Sequence, residues 1–390
     1  MPALPEITFW LALALLTYTY AGFSALVIVV AKWRNRAVRQ AALTPRVSLI
    51  IPAWNEEKTI VARLENALAL QYPQDALEII VTSDGSTDRT ETIVAEYANR
   101  GVRLLALPRR GKIHAMKDAV AAATGEILVF SDANSMYEPN ALLMLARNFA
   151  DPEVGGVCGN QIYVKVKKAD ASSQGETMYW SFDKWLKRME SLTGSIVSAH
   201  GAIYAIRRVL YQHPPTAAVT DDFAISTAVI AQGHRLVFES EAIAYEEPVA
   251  AAEREFGRKV RIMNRGLRGV ILRKRLLNPF RYGFYAVVLF SHKVLRRLVP
   301  FFLVVMFSAS LVLSARGGFY LWAAAAQALF YILAGAGYLL RRHRLGRLKF
   351  LYVPFFYCLA NAAALIAILK LVSGQRIERW QPMRHNPATQ

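Results

Sequence analysis

Three apolar runs near the start of the chain each end on residues able to hold a cation or a phosphate. VSLIIPA (47–53) runs into Trp54-Asn55-Glu56, LEIIVTSD (77–84) ends in Ser83-Asp84 before Gly85-Ser86, and EILVFSDA (126–133) delivers Ser131-Asp132-Ala133-Asn134. A surface turn needs no buried strand to bring it a carboxylate. A carboxylate with an oxygen-bearing neighbour two residues on suits a hard cation such as Mg²⁺ or Mn²⁺. Such a cation in turn neutralises a diphosphate. Lys112 opens the helical stretch before the third run and adds a positive charge. Taken singly, Asp84 and Asp132 read equally well as helix caps or turn residues. Delivered together by neighbouring strands, they read as a site.

The elements that would position them are legible from pattern. Those runs and VRLLALP (102–108) are short, nearly continuous and apolar, as strands of a parallel sheet covered on both faces are. Helical stretches alternate with them. One starts near Asn55 and stops before Pro73, another runs from Ser86-Thr87-Asp88 to Gly101, and a third from about Lys112 to Gly125. Alternating strands and helices predict a doubly wound α/β sheet, and ligands bind such sheets outside the carboxyl ends of the strands.

The composition limits where this domain can sit. Of 390 residues 54% are hydrophobic and the formal charge is +18, with a pI near 10. That apolar share predicts membrane segments. The run ITFWLALALLTYTYAGFSALVIVVA (7–31) carries no charge and is long enough to span a bilayer of about 30 Å at about 1.5 Å per residue. Lys32, Arg34, Arg36 and Arg39 follow, so the positive-inside rule puts the next segment in the cytoplasm. Further apolar runs at 298–315, 318–340 and 350–371 predict spanning helices, and 280–298 mixes aromatic with basic residues as interfacial helices do. Three crossings after a cytoplasmic domain would leave the tail GQRIERWQPMR outside, against its arginines. The basic stretch 254–275 abuts these segments and reads as lipid-facing rather than nucleic-acid-binding. Cys158 and Cys358 stand far apart, with no metal-ligand spacing. The expected organisation is an anchor and basic linker (1–40), a cytoplasmic α/β domain (41–262), a basic interfacial segment (263–297), membrane helices (298–372) and a tail (373–390).

Seven stretches in order, IPAWNEE, VTSDGSTDRT, RRGKIHAMKDAV, VFSDAN, HGAIYAIRR, TDDFAI and RKVRI, resemble glycosyltransferase family 2 over residues 46–262. The membrane frame is similar to the members that build polysaccharides, relatives of cellulose, chitin and hyaluronan synthases. The resemblance implies a GT-A fold, a nucleotide-sugar donor (usually a UDP-sugar) and a divalent cation, Mg²⁺ or Mn²⁺. It puts Ala53, Asn55 and Glu56 in the nucleotide loop, Asp84 at the base and Lys112 near the nucleotide. Asp132, with Asn134, stands at the metal position. Asp222, beside Asp221, stands at the general base, and Arg258 and Arg261 face the diphosphate. His200 and Gly201 fall on the acceptor side.

The chemistry asked of these residues is definite. A leaving diphosphate needs its growing charge stabilised, which a cation and guanidinium groups do. The attacking hydroxyl needs a base. An isolated Asp titrates near about 3.9 and is a poor one, but burial and a like charge raise it. Direct attack inverts the anomeric centre. The resulting expectation is a multi-pass enzyme of the cell (inner) membrane, with its catalytic domain in the cytoplasm. It would transfer sugar to a glycan or lipid-linked acceptor in surface polysaccharide assembly. Ile262 stands where synthases of long polymers have the Trp of this motif, and an aliphatic residue stacks poorly on a sugar. The alternatives are a processive synthase that translocates its polymer and a non-catalytic membrane scaffold. Trp180 and Trp185 read as packing residues.

Overall fold

The computed structural model describes residues 4–164, 171–247, 252–341 and 343–375. The chain enters through α1 (Leu4–Thr17), a π-helical turn and α2 (Phe23–Arg34), and then builds β1 (Val47–Ala53), α3 (Ile60–Leu68), β2 (Leu77–Asp84), α4 (Thr90–Glu96), β3 (Val102–Leu107), α5 (Lys112–Ala122) and β4 (Ile127–Phe130). The expected strands are therefore present, whereas the first two helices begin later than their caps suggested. The polar turns before them are spent on the loops that form the site. β5 (Met136–Tyr137), α6 (Ala141–Ala146), β6 (Val154–Tyr163), α7 (Ala171–Thr193), β7 (Tyr204–Arg207), α8 (Asp221–Ala231) and β8 (Arg235–Glu246) complete the domain.

The strand order is β3-β2-β1-β4-β7-β6-β8-β5. The sheet is mixed rather than all parallel. β1 pairs in parallel with β2 and β4, while β7 runs antiparallel to both β4 and β6. Ile50 lies opposite both Ile80 and Phe130, so the carboxyl ends of β1, β2 and β4 share one rim. Successive strand residues point to opposite faces. Leu49 and Ile51 join one buried cluster with α3, α4 and α6, and Ile50 joins the other. The second cluster also takes Phe23 and Val27 from α2, so the helix that leaves the anchor helps to cover the sheet.

After the sheet come α9 (Ala252–Leu272), α10 (Pro279–Tyr282), α11 (Phe284–Leu289), α12 (Arg296–Ser314), α13 (Gly318–Leu339) and α14 (Lys349–Val372). Among the described residues, four stretches are long and apolar enough to cross a membrane: Leu4–Arg34, Phe284–Ser314, Gly318–Leu339 and Lys349–Val372. Of the segment 280–298, expected as an interfacial helix, residues from Phe284 onward form α11, a π turn and the start of α12. Their first turns pack Val288 and Leu289 into the sheet's second core. Both long helices carry a π turn, Tyr18–Gly22 and Phe290–Leu295, and these meet where the Tyr18 and Ser291 hydroxyls lie 2.9 Å apart. At the other end of the bundle the Tyr320 hydroxyl donates to Glu6 at 3.0 Å, Arg316 lies 3.5 Å from Glu6, and Trp10 stacks on Phe319. Trp180 has a side chain outside the described residues, as does the tail beyond Gln375. Trp185 is partly exposed and packs on Phe182.

Gly125, just before β4, sets how closely that strand enters beside β1. A Cβ there would lie 2.5 Å from the Ser48 backbone nitrogen, whose side chain already accepts the Gly125 N–H at 2.9 Å. Overpacking a backbone contact costs about 1–3 kcal/mol. Gly125→Ala should therefore lower the thermal unfolding midpoint by a few degrees, on the order of 2–8 °C, read by thermal denaturation of the detergent-solubilised chain. An unchanged midpoint would show that β4 does not depend on this approach.

Candidate active site

Asp84 ends β2 and is almost wholly buried. Its Oδ1 accepts from the backbone N–H groups of Arg110 and Gly111, both at 2.8 Å, and its Oδ2 accepts from Gly111 at 2.9 Å and from Arg109 Nη1 at 2.8 Å. Asp84 thus fixes the 109–111 loop. Gly85 has φ 64, and a Cβ there would meet the Arg109 nitrogen at 2.7 Å, so only glycine lets the loop approach. The Arg109 guanidinium lies 3.7 Å over the Trp54 ring, forming a flat platform beside the Asn55–Glu56 loop. In that loop Asn55 takes φ 54, and its Oδ1 accepts the Thr87 N–H at 2.8 Å. The Glu56 N–H donates to Thr90 at 2.8 Å, and its carboxylate accepts from Thr59 at 2.7 Å. Ala53 is fully buried at the strand end. Asn55 and Glu56 therefore tie one strand-end loop to the next.

Gly111, at φ 100, turns the chain into α5 and aims Lys112 at the rim. The Lys112 ammonium lies 2.7 Å from Asp132 Oδ1 and 3.0 Å from Asp221 Oδ2. Burial works against its charge, but the two carboxylates outweigh burial and hold its pKa above the usual lysine range. Burial also pushes Asp221 up, yet Lys112 prevails and keeps it below its ordinary value. Asp222, next to it in the first turn of α8, is pushed up to about 6 by burial and by the Asp221 charge. Its Oδ1 accepts the Phe223 N–H at 2.7 Å. Two adjacent carboxylates thus stand in different states, one ionised and ion-paired, the other poised to exchange a proton near neutrality.

Gly201 leaves room for Asp132. A Cβ there would sit 2.9 Å from Asp132 Oδ2, so the glycine makes the cradle into which the carboxylate reaches. His200, its neighbour, has a buried Nδ1 with no partner among the described residues. Burial, reinforced by Lys187, depresses it to about 3, so it is a neutral imidazole. No group of three or more His, Cys, Asp or Glu side chains that could hold a metal occurs among the described residues. Such a cage is not required. Mg²⁺ is commonly held by one or two carboxylates and completed by substrate phosphates. Asp132, with one oxygen on Lys112 and the other in the Gly201 cradle, fits that pattern, and Asn134 follows it on the rim.

Arg258 and Arg261 lie on α9 at spacing that shares one helix face with Arg265. The Arg258 Nε is buried without a partner among the described residues. Arg265, which the motif did not single out, donates to Val219 O at 2.5 and 3.1 Å and to Ala217 O at 2.9 Å. It fastens α9 to the chain entering Asp221. Three further residues escaped pattern reading. Tyr204 and Tyr211 have buried hydroxyls without a partner among the described residues. Burial and the nearby Asp221 hold both above the usual phenol value. Arg63 is wholly buried on α3, donates to Ser131 at 3.1 Å and is lowered to about 10 by burial. Only the alternation of β7 hinted at Tyr204, and nothing local marked Arg63.

Comparison with known proteins agrees with this geometry. Residues 48–213 match the sequence profile of Glycosyl transferase family 2, which ends before Asp221. The β-monoglucosyldiacylglycerol synthase of Nostoc sp. is 29% identical over 201 residues, 49% of this chain and 42% of that protein. The poly-β-1,6-N-acetyl-D-glucosamine synthase of Staphylococcus epidermidis is 26% identical over 205 residues, 51% of this chain and 49% of that protein. The chain thus spans about half the length of the curated relatives it matches. A mannosyltransferase of Pyrobaculum calidifontis, solved with GDP-Man and Mn²⁺, superposes with a TM-score of 0.69 at 23% identity, covering 95% of this chain and all of that one. Residues 48–213 thus match glycosyl transferase family 2, and the domain that contains them has the GT-A fold.

Proposed function

We propose that this protein is a membrane-bound, inverting glycosyltransferase that moves a sugar from a nucleotide-sugar to a hydroxyl acceptor presented at the bilayer surface. The observation that carries the reading is the pairing of Lys112 with Asp132 and Asp221 beside an Asp222 raised to about 6. The strand-end loops around Asn55, Glu56 and Asp84 form the nucleotide site, with the Trp54–Arg109 platform against the base. Lys112, Arg258 and Arg261 supply positive charge for the diphosphate. Asp132, with Asn134 secondary, would hold a divalent cation, which when bound supplies further charge neutralisation to the leaving group.

In the transfer, Asp222 accepts the proton of the acceptor hydroxyl while its oxygen attacks the anomeric carbon. The bond from that carbon to the diphosphate breaks, and the electron pair leaves with the nucleotide. A base poised near 6 performs this better than a free Asp near about 3.9. The neutral His200 and Gly201 line the acceptor approach. Ile262 is half exposed on α9 where a stacking Trp would hold a growing polymer, which favours single transfer. Among the relatives, one is named for a glucosyldiacylglycerol product, in keeping with a lipid-borne acceptor. The proposed division is an N-terminal anchor, a cytoplasmic catalytic domain closed by α9, and a C-terminal membrane region.

We infer the topology from packing. α2 and α11 join the catalytic core, and the far end of the bundle is marked by Glu6 and Arg316. From there α13 returns to the catalytic side. α14 then lies along α9, with Val260 against Ala363 and Ala367, and with Arg268 donating to Gln375 O at 2.6 Å. Because α9 is fastened to the catalytic domain, both ends of α14 stay on that side. We read α14 as immersed in the inner leaflet rather than crossing it. That places both the linker RRHRLGRLK (341–349) and the arginine-bearing tail in the cytoplasm, as the charge rule asks.

Three outcomes check this reading. Asp222→Asn should lower kcat about 10²–10⁴-fold while nucleotide-sugar affinity changes by less than about twofold. Retained turnover would remove Asp222 from the role of base. The acid limb of kcat/KM should rise with pH through about 6, since the base acts only when deprotonated. Asp221→Asn removes the like charge and should move that limb to lower pH; a limb that stays in place would exclude the neighbour as its cause. In oriented vesicles lacking Cys158 and Cys358, thiol reagents should label Arg341→Cys and Gly374→Cys from the catalytic side and Arg316→Cys from the other. Labelling of Gly374→Cys from the far side would mean that α14 crosses.

A further inference from the structure

Asn264 is the one wholly buried polar side chain described on α9, and nothing in the motif around Arg258 and Arg261 requires it. Its Nδ2 donates to the Ala367 carbonyl of α14 at 2.9 Å, and its Oδ1 accepts from Arg268 Nε at 3.1 Å. Arg268 in turn donates through Nη2 to Gln375 O, just past the end of α14. On the N-terminal side of this polar clasp α9 meets α14 through small and apolar residues. Val260 packs on Ala363 and Ala367, both fully buried, with Phe256, Met263 and Ile366 around them. Lys259 reaches the Phe356 ring at 5.0 Å.

The next residue, Arg265, reaches the other way. Its guanidinium grips the Ala217 and Val219 carbonyls, on the strand of chain that leads into Asp221 and Asp222. Consecutive residues of one helix thus bind a membrane-embedded helix and the catalytic loop. Asn264 and Arg261 are three apart, close to one turn, so a shift of α9 against α14 moves Arg258 and Arg261 with it.

We propose that Asn264 is a positioning residue for donor binding: by clasping α14 it sets the place of Arg258 and Arg261, so that the last apolar helix is part of the nucleotide-sugar site rather than a separate membrane module. The proposal rests on the reading of those arginines as diphosphate contacts. A hydrogen-bonded amide inside an apolar helix contact is a costly device for mere adhesion, which the Val260–Ala363 contact already provides. Its direction and single partner on α14 give register, as buried polar groups do between other paired helices.

The experiment uses the full chain in detergent micelles, with nucleotide-sugar affinity read by intrinsic tryptophan fluorescence. Asn264→Leu keeps the branched heavy-atom skeleton, suits the apolar contact and removes the clasp; Arg261→Gln removes a diphosphate contact. Each should raise Kd by about fivefold to tenfold. If Asn264 acts through the arginine, the double variant should bind no worse than about tenfold below the parent, because the two losses are one. A product of the two effects, roughly fiftyfold, would overturn the proposal. An unchanged Kd in Arg261→Gln would sink the arginine assignment and the proposal with it. A loss there with none in Asn264→Leu would sink the proposal alone. As a readout apart from the ligand, a short bismaleimide should join Val260→Cys to Ala363→Cys in a background free of other cysteines. The yield should fall several-fold when Asn264→Leu is added, and an unaltered yield would show that Asn264 does not hold the helices in register.

Discussion

The Lys112 ammonium, 2.7 Å from Asp132 and 3.0 Å from Asp221, is the contact around which the rest of the site is arranged. It joins two elements far apart in the chain, the end of β4 and the start of α8. Lys112 and Asp221 are largely withdrawn from water, so each helps the other to remain charged, while Asp132 is about a third exposed. Removing one partner from such a buried group costs about 3–5 kcal/mol, since the remaining charge is left uncompensated. Much of the neighbouring structure serves to place this lysine. Asp84 gathers the Arg109–Gly111 loop with three backbone bonds and one ion pair, and Gly111 then turns Lys112 inward. Asp222 owes its raised pKa first to burial and then to the same arrangement, because Asp221 stays ionised against Lys112 and repels a second charge beside it.

The second constraint is that the sheet cannot be covered without the long apolar helices. One face is closed by α3, α4 and α6, which belong to the domain itself. The other needs Phe23 and Val27 of α2 and Tyr285, Val288 and Leu289 of α11, in addition to α5 and α8. α2 and α11 are therefore part of the core of this domain, and the two π turns meet at its edge. α9 is gripped by the chain before Asp221 on one side and by α14 on the other.

Several residues had meanings that pattern alone left open. Asp84 was expected at the base of the nucleotide. Its carboxylate is engaged by the 109–111 loop, so any recognition at that corner passes through the Trp54–Arg109 platform that it supports. Asp132 reads as a metal ligand from its place at the strand end, yet Lys112 and the Gly201 cradle define how much of it is available. Arg265 was lost among the basic residues of a helix that looked like a lipid-facing face, although it binds the chain before Asp221. Arg63 and the two tyrosines were invisible for a related reason. Their roles come from burial against distant strands, and no spacing along the chain records that.

What sequence determined by itself was local and periodic. Four apolar runs with polar ends specified β1 to β4 and the rim they share, because a strand buried on both faces has few other readings. Uncharged runs of sufficient length marked the membrane helices, because the hydrocarbon thickness sets a minimum that a soluble helix rarely meets. The order of short motifs identified the family. Only the tertiary structure decided the rest. It turned β7 against its neighbours, brought Asp221 to Lys112, sent α2 and α11 into the core and laid α14 along α9. These are contacts between segments up to hundreds of residues apart, chosen by which surfaces can be buried together. A pattern of single-residue properties says that a face is apolar or a side chain charged, but not which partner will cover it.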